Sequence, residues 1–174
     1  MDKNPKVSII GLGNILLGDE GFGVHVIHYL ERHFLFPKEC ELIDGGCAGL
    51  KLLDFMRGKT AVFLIDVYFS QETPEGIIRT FGWEEIEKFP SRGFVSNHQV
   101  GIREALALAR LKGLKPKVFK VFATVPQDIS PGIKLSPPLR KLLPLVSQNI
   151  LDELRRLGLQ VISLSKSSGE TVCA

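Results

Sequence analysis

Val7-Ser8-Ile9-Ile10-Gly11-Leu12-Gly13-Asn14 decides the fold. The apolar run 7–10 stops at two glycines, the pattern of a buried strand that leaves through a tight loop. Over 21–34, Val24, Ile27, Tyr29, Leu30 and Phe34 fall at helical spacing with charges between them. The alternation then repeats. Residues 40–43 predict a second strand ending at Asp44-Gly45-Gly46, and 50–56 a helix closed by Gly58. Residues 61–65 predict a central strand ending at Asp66. Farther along, 77–81 predict a strand, 83–89 a short helix, 100–111 a helix closed by Gly113, and 118–125 a strand. Ser136-Pro137 has the form of an N-cap and first-turn proline opening a helix to about 157, with Pro144 expected to kink it or move its start downstream. An edge strand is expected over 159–164, and the small polar stretch 165–174 is expected to be loose. Strands alternating with helices predict a single α/β domain over 1–174: a three-layer sandwich, with a mostly parallel twisted sheet of about five strands and helices on both faces.

Composition narrows the function classes. The 22 Lys+Arg against 19 Asp+Glu leave a net charge of only +3, which demands no nucleic-acid partner. No apolar run reaches the roughly 18–20 residues of a membrane span, and the polar start followed by Gly11 lacks the pattern of a secretory signal. Cys40, Cys47 and Cys173 form neither a disulfide framework nor a CxxC metal site. A cytoplasmic monomer is the expectation.

In open α/β sheets, ligands bind beyond the carboxyl ends of the strands. Asn14, Asp19 and Glu20 follow the first strand, Asp44 the second and Asp66 the third, while His98 precedes a helix. Three separate segments thus bring carboxylates and one imidazole toward one edge, a reasonable oxygen and nitrogen set for nickel or zinc. Each residue also has a plain structural role open to it: Asp66 as a turn former, His98 as a helix-start residue, Asp19-Glu20 as a solvated acidic pair at a helix N-terminus. His25, His28 and His33 on the first helix, with no carboxylate at matching spacing, read as surface or half-buried residues.

A dinucleotide-binding oxidoreductase is the alternative, resting on Gly11, Gly13 and Asp44. Against it, Leu16 stands where GxGxxG needs its third glycine for close helix packing. GxxxxGK[ST], GxSxG and HExxH are absent.

The stretch Ile10-Gly11-Leu12-Gly13-Asn14-Ile15-Leu16-Leu17-Gly18-Asp19-Glu20-Gly21-Phe22-Gly23-Val24 resembles the opening motif of the hydrogenase maturation proteases. These endopeptidases trim the C-terminus of [NiFe]-hydrogenase large subunits. Ile43-Asp44-Gly45-Gly46 with Ala48-Gly49, Leu64-Ile65-Asp66, and Ser96-Asn97-His98-Gln99-Val100-Gly101 are similar to the second, third and histidine motifs, in order. Ile133-Lys134-Leu135-Ser136-Pro137 resembles the family's turn into its last helix, so the likeness spans about 7–157.

The resemblance implies that Glu20, Asp66 and His98 bind nickel, and that the nickel arrives inside the large-subunit precursor. An incomplete set of two carboxylates and one imidazole leaves positions for the substrate's own ligands, and other divalent cations are expected to substitute in vitro. Asn14, Asp19 and Gly45 are the expected substrate-loop residues. For bond cleavage two routes stand open: the metal polarises the carbonyl or activates water, or it only positions the substrate while Asp44 or Asp66 acts as base. Either would be an aspartate-dependent peptidase without the paired motifs of pepsin-like enzymes. A non-catalytic, nickel-dependent assembly chaperone for the same subunit is a further alternative.

Overall fold

The computed structural model describes residues 5–89 and 101–164. β1 (Val7–Leu12) is followed by a 3-10 turn (Gly18–Gly21), α1 (Phe22–His33), β2 (Phe34–Leu35) and β3 (Cys40–Gly46). A 3-10 turn (Gly49–Lys51) leads into α2 (Leu52–Met56), then β4 (Ala61–Val67), β5 (Arg79–Phe81) and α3 (Trp83–Lys88). α4 (Ile102–Leu111), β6 (Val118–Thr124), α5 (Pro137–Arg156) and β7 (Ile162–Ser163) complete it.

The main sheet has the order β3-β1-β4-β6-β5, parallel except for the antiparallel edge strand β5. β4 is buried along its whole length, as a central parallel strand covered on both faces must be. Side chains alternate across it. Phe63, Ile65 and Val67 pack with Ile27 and Leu30 of α1 and Leu139 and Val146 of α5. Val62 and Leu64 pack with Leu52 of α2, Ile86 of α3 and Leu106 of α4. The expected three-layer sandwich is therefore present, with α1 and α5 on one face and α2–α4 on the other.

Several boundaries differ from the sequence expectation. β1 runs through Gly11 to Leu12, and β3 through Asp44 to Gly46, because parallel pairing with neighbours on the ladder outweighs the low strand preference of glycine and aspartate. Glycine in these strands allows close packing. A Cβ at Gly11 would collide with the Gly23 carbonyl, and one at Gly23 with the carbonyls of Ile65 and Leu12. α1 can lie against β1 and β4 only with both glycines in place. α5 starts at Pro137 and runs unbroken past Pro144, so the first-turn proline was the true start. Ser136 holds the cap position without a side-chain cap bond. The expected edge strand 159–164 shortens to β7, which leaves the main sheet to pair antiparallel with β2, an unexpected two-residue strand. The expectation for 165–174 lies outside the described residues. No helix among the described residues is long and apolar enough to cross a membrane.

Candidate functional site

Glu20 and Asp66 meet at the carboxyl edge of the sheet, each only 2% exposed. Glu20 sits on the 3-10 turn after β1, and Asp66 is the penultimate residue of β4. Asp66 shares the parity of Val62 and Leu64, so it points to the α2–α4 face. Its Oδ1 accepts the Val67 N–H at 2.8 Å. Burial pushes its carboxyl well above the ordinary range, and the nearby Glu20 charge pushes the same way, against the Val67 amide. Two carboxylates driven together out of water lower this cost by taking a proton or a cation. Among the described residues no three His, Cys, Asp or Glu heads form a metal-holding group, and the third expected ligand, His98, lies outside them.

Asp19, one residue from Glu20 and an expected substrate-loop residue, is fully buried. Its Oδ2 accepts the N–H groups of Gln127 and Asp128 at 2.9 and 3.0 Å, and its Oδ1 that of Ser136 at 2.7 Å. Further backbone bonds, Gly18 N–H to the Gly132 carbonyl and Gly132 N–H to the Leu16 carbonyl, tie the same segments. The carboxylate therefore pins both ends of the 127–136 loop to the turn that carries Glu20. A solvated acidic pair is not what the fold builds here.

Asn14 is half-buried and closes its own loop, its Oδ1 accepting the Leu16 N–H at 3.0 Å. Gly45 stands at the register shift between β1 and β3, where a Cβ would press on the side chains of Ile10 and Leu12. Asp44 is exposed, with Oδ1 accepting the Gly46 N–H at 3.0 Å, and Gly46 in turn accepts the Gly13 N–H at 2.9 Å.

Asp44 does not face Asp66. In β3, Cys40 and Leu42 pack toward α1 and Ile43 toward the other face, so Asp44 points to the α1 side. Asp44 lies level with Gly11, and Gly11 with Ile65, so β1 stands between the two aspartates. Two strand spacings, about 10 Å, separate their backbones. They do not form a proton-sharing pair of the aspartic-protease kind.

Two neighbours escaped the sequence reading. His28 of α1 places Nε2 3.8 Å from Asp44 Oδ2, so the first helix does have a carboxylate beside it, from a strand rather than from its own spacing. The exposed Cys47 thiol is raised above its ordinary value by partial burial and then by the charges of Glu20 and Asp66. A thiol following Gly-Gly at a strand end is the only hint the sequence held of that proximity. His25 is half-buried with a buried, unpartnered Nε2, and burial, ahead of the neighbouring His28, holds its pKa low.

A family model described as hydrogenase maturation protease matches residues 24–153, well over half of the chain. The chain is 29% identical over 157 residues to the Hydrogenase 2 maturation protease of Escherichia coli strain K12, spanning 90% of this chain and 95% of that protein. It is 30% identical over 159 residues to the hydrogenase expression/formation protein HupD of Thiocapsa roseopersicina, 91% of this chain and 72% of that one. The solved structure of the hydrogenase-maturating endopeptidase HybD from E. coli aligns with a TM-score of 0.84 at 29% identity, covering 93% of this chain and 99% of that chain. A [NiFe] hydrogenase maturation protease from Thermococcus kodakarensis, 23% identical with a TM-score of 0.67 over 86% of this chain and 98% of its own, shares the fold. The chain belongs to the hydrogenase maturation protease family and is a peptidase.

Proposed function

We propose that this peptidase removes the C-terminal extension of a [NiFe]-hydrogenase large-subunit precursor after nickel insertion, and that Glu20, Asp66 and His98 read the substrate's nickel. The observation that carries this is the burial of Glu20 and Asp66 side by side at the sheet edge. Two carboxylates buried together favour a proton or a cation beside them, and the pair is too sparse to saturate a metal, so it suits one that brings its other ligands with it.

The separation of Asp44 from Asp66 favours a division of labour. A base whose backbone lies two strand spacings, about 10 Å, from Asp66 and whose side chain points to the opposite face is poorly placed to deprotonate water on a metal that Asp66 binds. In this proposal the nickel positions the precursor, and Asp44 is the base at the scissile bond. Its Oδ1 is fixed by Gly46, which leaves Oδ2, beside His28, to take the proton.

The test is processing of the precursor, with and without inserted nickel, read by mass spectrometry. Wild type shortens only the nickel-loaded chain. His98→Ala abolishes processing without unfolding the protein. Asp44→Asn lowers kcat by about 100-fold or more while nickel-dependent binding of the precursor persists. Cleavage that ignores nickel removes the recognition role, and wild-type turnover by Asp44→Asn returns catalysis to metal-activated water. A chain that binds the loaded precursor but never shortens it is an assembly chaperone instead.

A further inference from the structure

Six of the twelve large apolar side chains exposed to solvent among the described residues lie on the loops that leave the carboxyl edge of the sheet. Ile15 and Leu16 follow β1, Leu50 follows β3, Phe69 follows β4, and Ile129 and Ile133 follow β6. Leu16 and Ile133 are 61% and 64% exposed. Exposing such side chains is unfavourable in water, and where they adjoin, apolar surface marks a place where another molecule sits.

Loose loops do not account for this exposure. Leu17 and Gly132 form a parallel bridge, the Leu16 carbonyl accepts the Gly132 N–H at 2.9 Å, and the Gly18 N–H reaches the Gly132 carbonyl at 2.7 Å. Asp19 fixes both ends of the 127–136 loop. Leu16 and the 132–133 segment are therefore neighbours on a clamped ridge, held in the exposed position by the same turn that carries Glu20.

We propose that this ridge, with Leu16 and Ile133 at its crest, is the docking surface for the folded face of the precursor that surrounds its metal. It rests on the nickel-reading peptidase proposed above and adds how that substrate is held. Charge complementarity selects the occupant. The ridge rises from the turn that carries Glu20, beside the two buried carboxylates at the sheet edge, so its partner presents a cation set within apolar surface. A second copy of this chain brings no cation to those carboxylates. The metal alone gives few contacts, whereas apolar contact around it supplies affinity and discriminates a precursor from free nickel.

The experiment uses the full chain and the nickel-loaded large-subunit precursor, with kinetics of processing and, separately, calorimetric binding of the precursor. Leu16→Ser, Ile133→Ser and their double variant are compared with Leu111→Ser, a control 84% exposed on α4. The double variant raises KM and Kd at least tenfold, keeps kcat within about threefold, and unfolds at the wild-type temperature; Leu111→Ser matches wild type throughout. An unchanged KM and Kd in the double variant overturns the proposal. So does a wild-type dimer in sedimentation that Leu16→Ser dissolves, since a second copy would then be the occupant. If wild type processes loaded and metal-free precursors alike, nickel reading fails, while the ridge is still judged by the KM of the double variant.

Discussion

Asp66→Asn should make the protein more stable while depriving it of its function. The side chain is nearly isosteric, and the carboxamide oxygen can keep the Val67 N–H that Oδ1 now accepts at 2.8 Å. What disappears is a carboxyl whose burial, with the Glu20 charge beside it, raises its pKa well above the ordinary value. A group whose folded pKa is raised contributes its full stability below its unfolded pKa, about 3.9, and loses it as pH climbs through the raised value. Each pH unit inside that window costs the wild type about 1.4 kcal/mol. Asparagine pays none of it. The two proteins should therefore unfold alike near pH 4 and separate as pH rises, by about 1.4 kcal/mol for each pH unit between the unfolded and the raised value, each such step worth roughly 3–6 °C in Tm for a chain of this size. Urea and thermal unfolding in chelator, from pH 4 to 8, measure this directly, with precursor processing followed in parallel. A variant less stable at every pH, or ahead by a margin that does not change with pH, would refute the account of Asp66 as a carboxyl held against its own solvation.

Three further outcomes follow from the packing. Asp19→Asn should cost about 2–4 kcal/mol in urea unfolding, because both carboxylate oxygens accept N–H groups and the new NH2 must face one donor with another; a loss under about 0.5 kcal/mol would deny the clamp. Gly23→Ala should give little soluble, folded protein on expression, since its Cβ would occupy the space of two backbone carbonyls; a wild-type melting curve would contradict the close α1 contact. Pro144→Ala, at an exposed position inside α5, restores a helical N–H for the Arg140 carbonyl and should raise stability by about 1–2 kcal/mol in chemical unfolding; no gain would mean the helix has already adapted to the proline.

The layer order and most elements were legible because they are local or periodic. The apolar run over 61–65 and the amphipathic spacing of 21–34 carry their own structure. The placement of Glu20 and Asp66 at one edge followed from topology. The role of Asp19 was not legible, because its partners lie 108–117 residues away and are backbone amides, which have no sequence signature. The division between Asp44 and Asp66 was only half within reach: counting by twos puts Asp44 with Leu42 and Asp66 with Leu64, provided both strands run on to include them, but that these are opposite faces comes from the register through β1. The expectation ended each strand early, and the count was lost with the boundary. β2 and β7, two residues each, offered no periodicity to read.

The bond from the start of α5 to Asp19 also sets an order of events during synthesis. Glu20 emerges from the ribosome early, but the turn that holds it gains its last fastening only when Ser136 has been made. β6, which must slide in beside β4, also arrives late. A nascent chain therefore lacks its fastened acidic turn until β6 and Ser136 have been translated. Competence to engage a precursor is deferred until the start of α5 has been made.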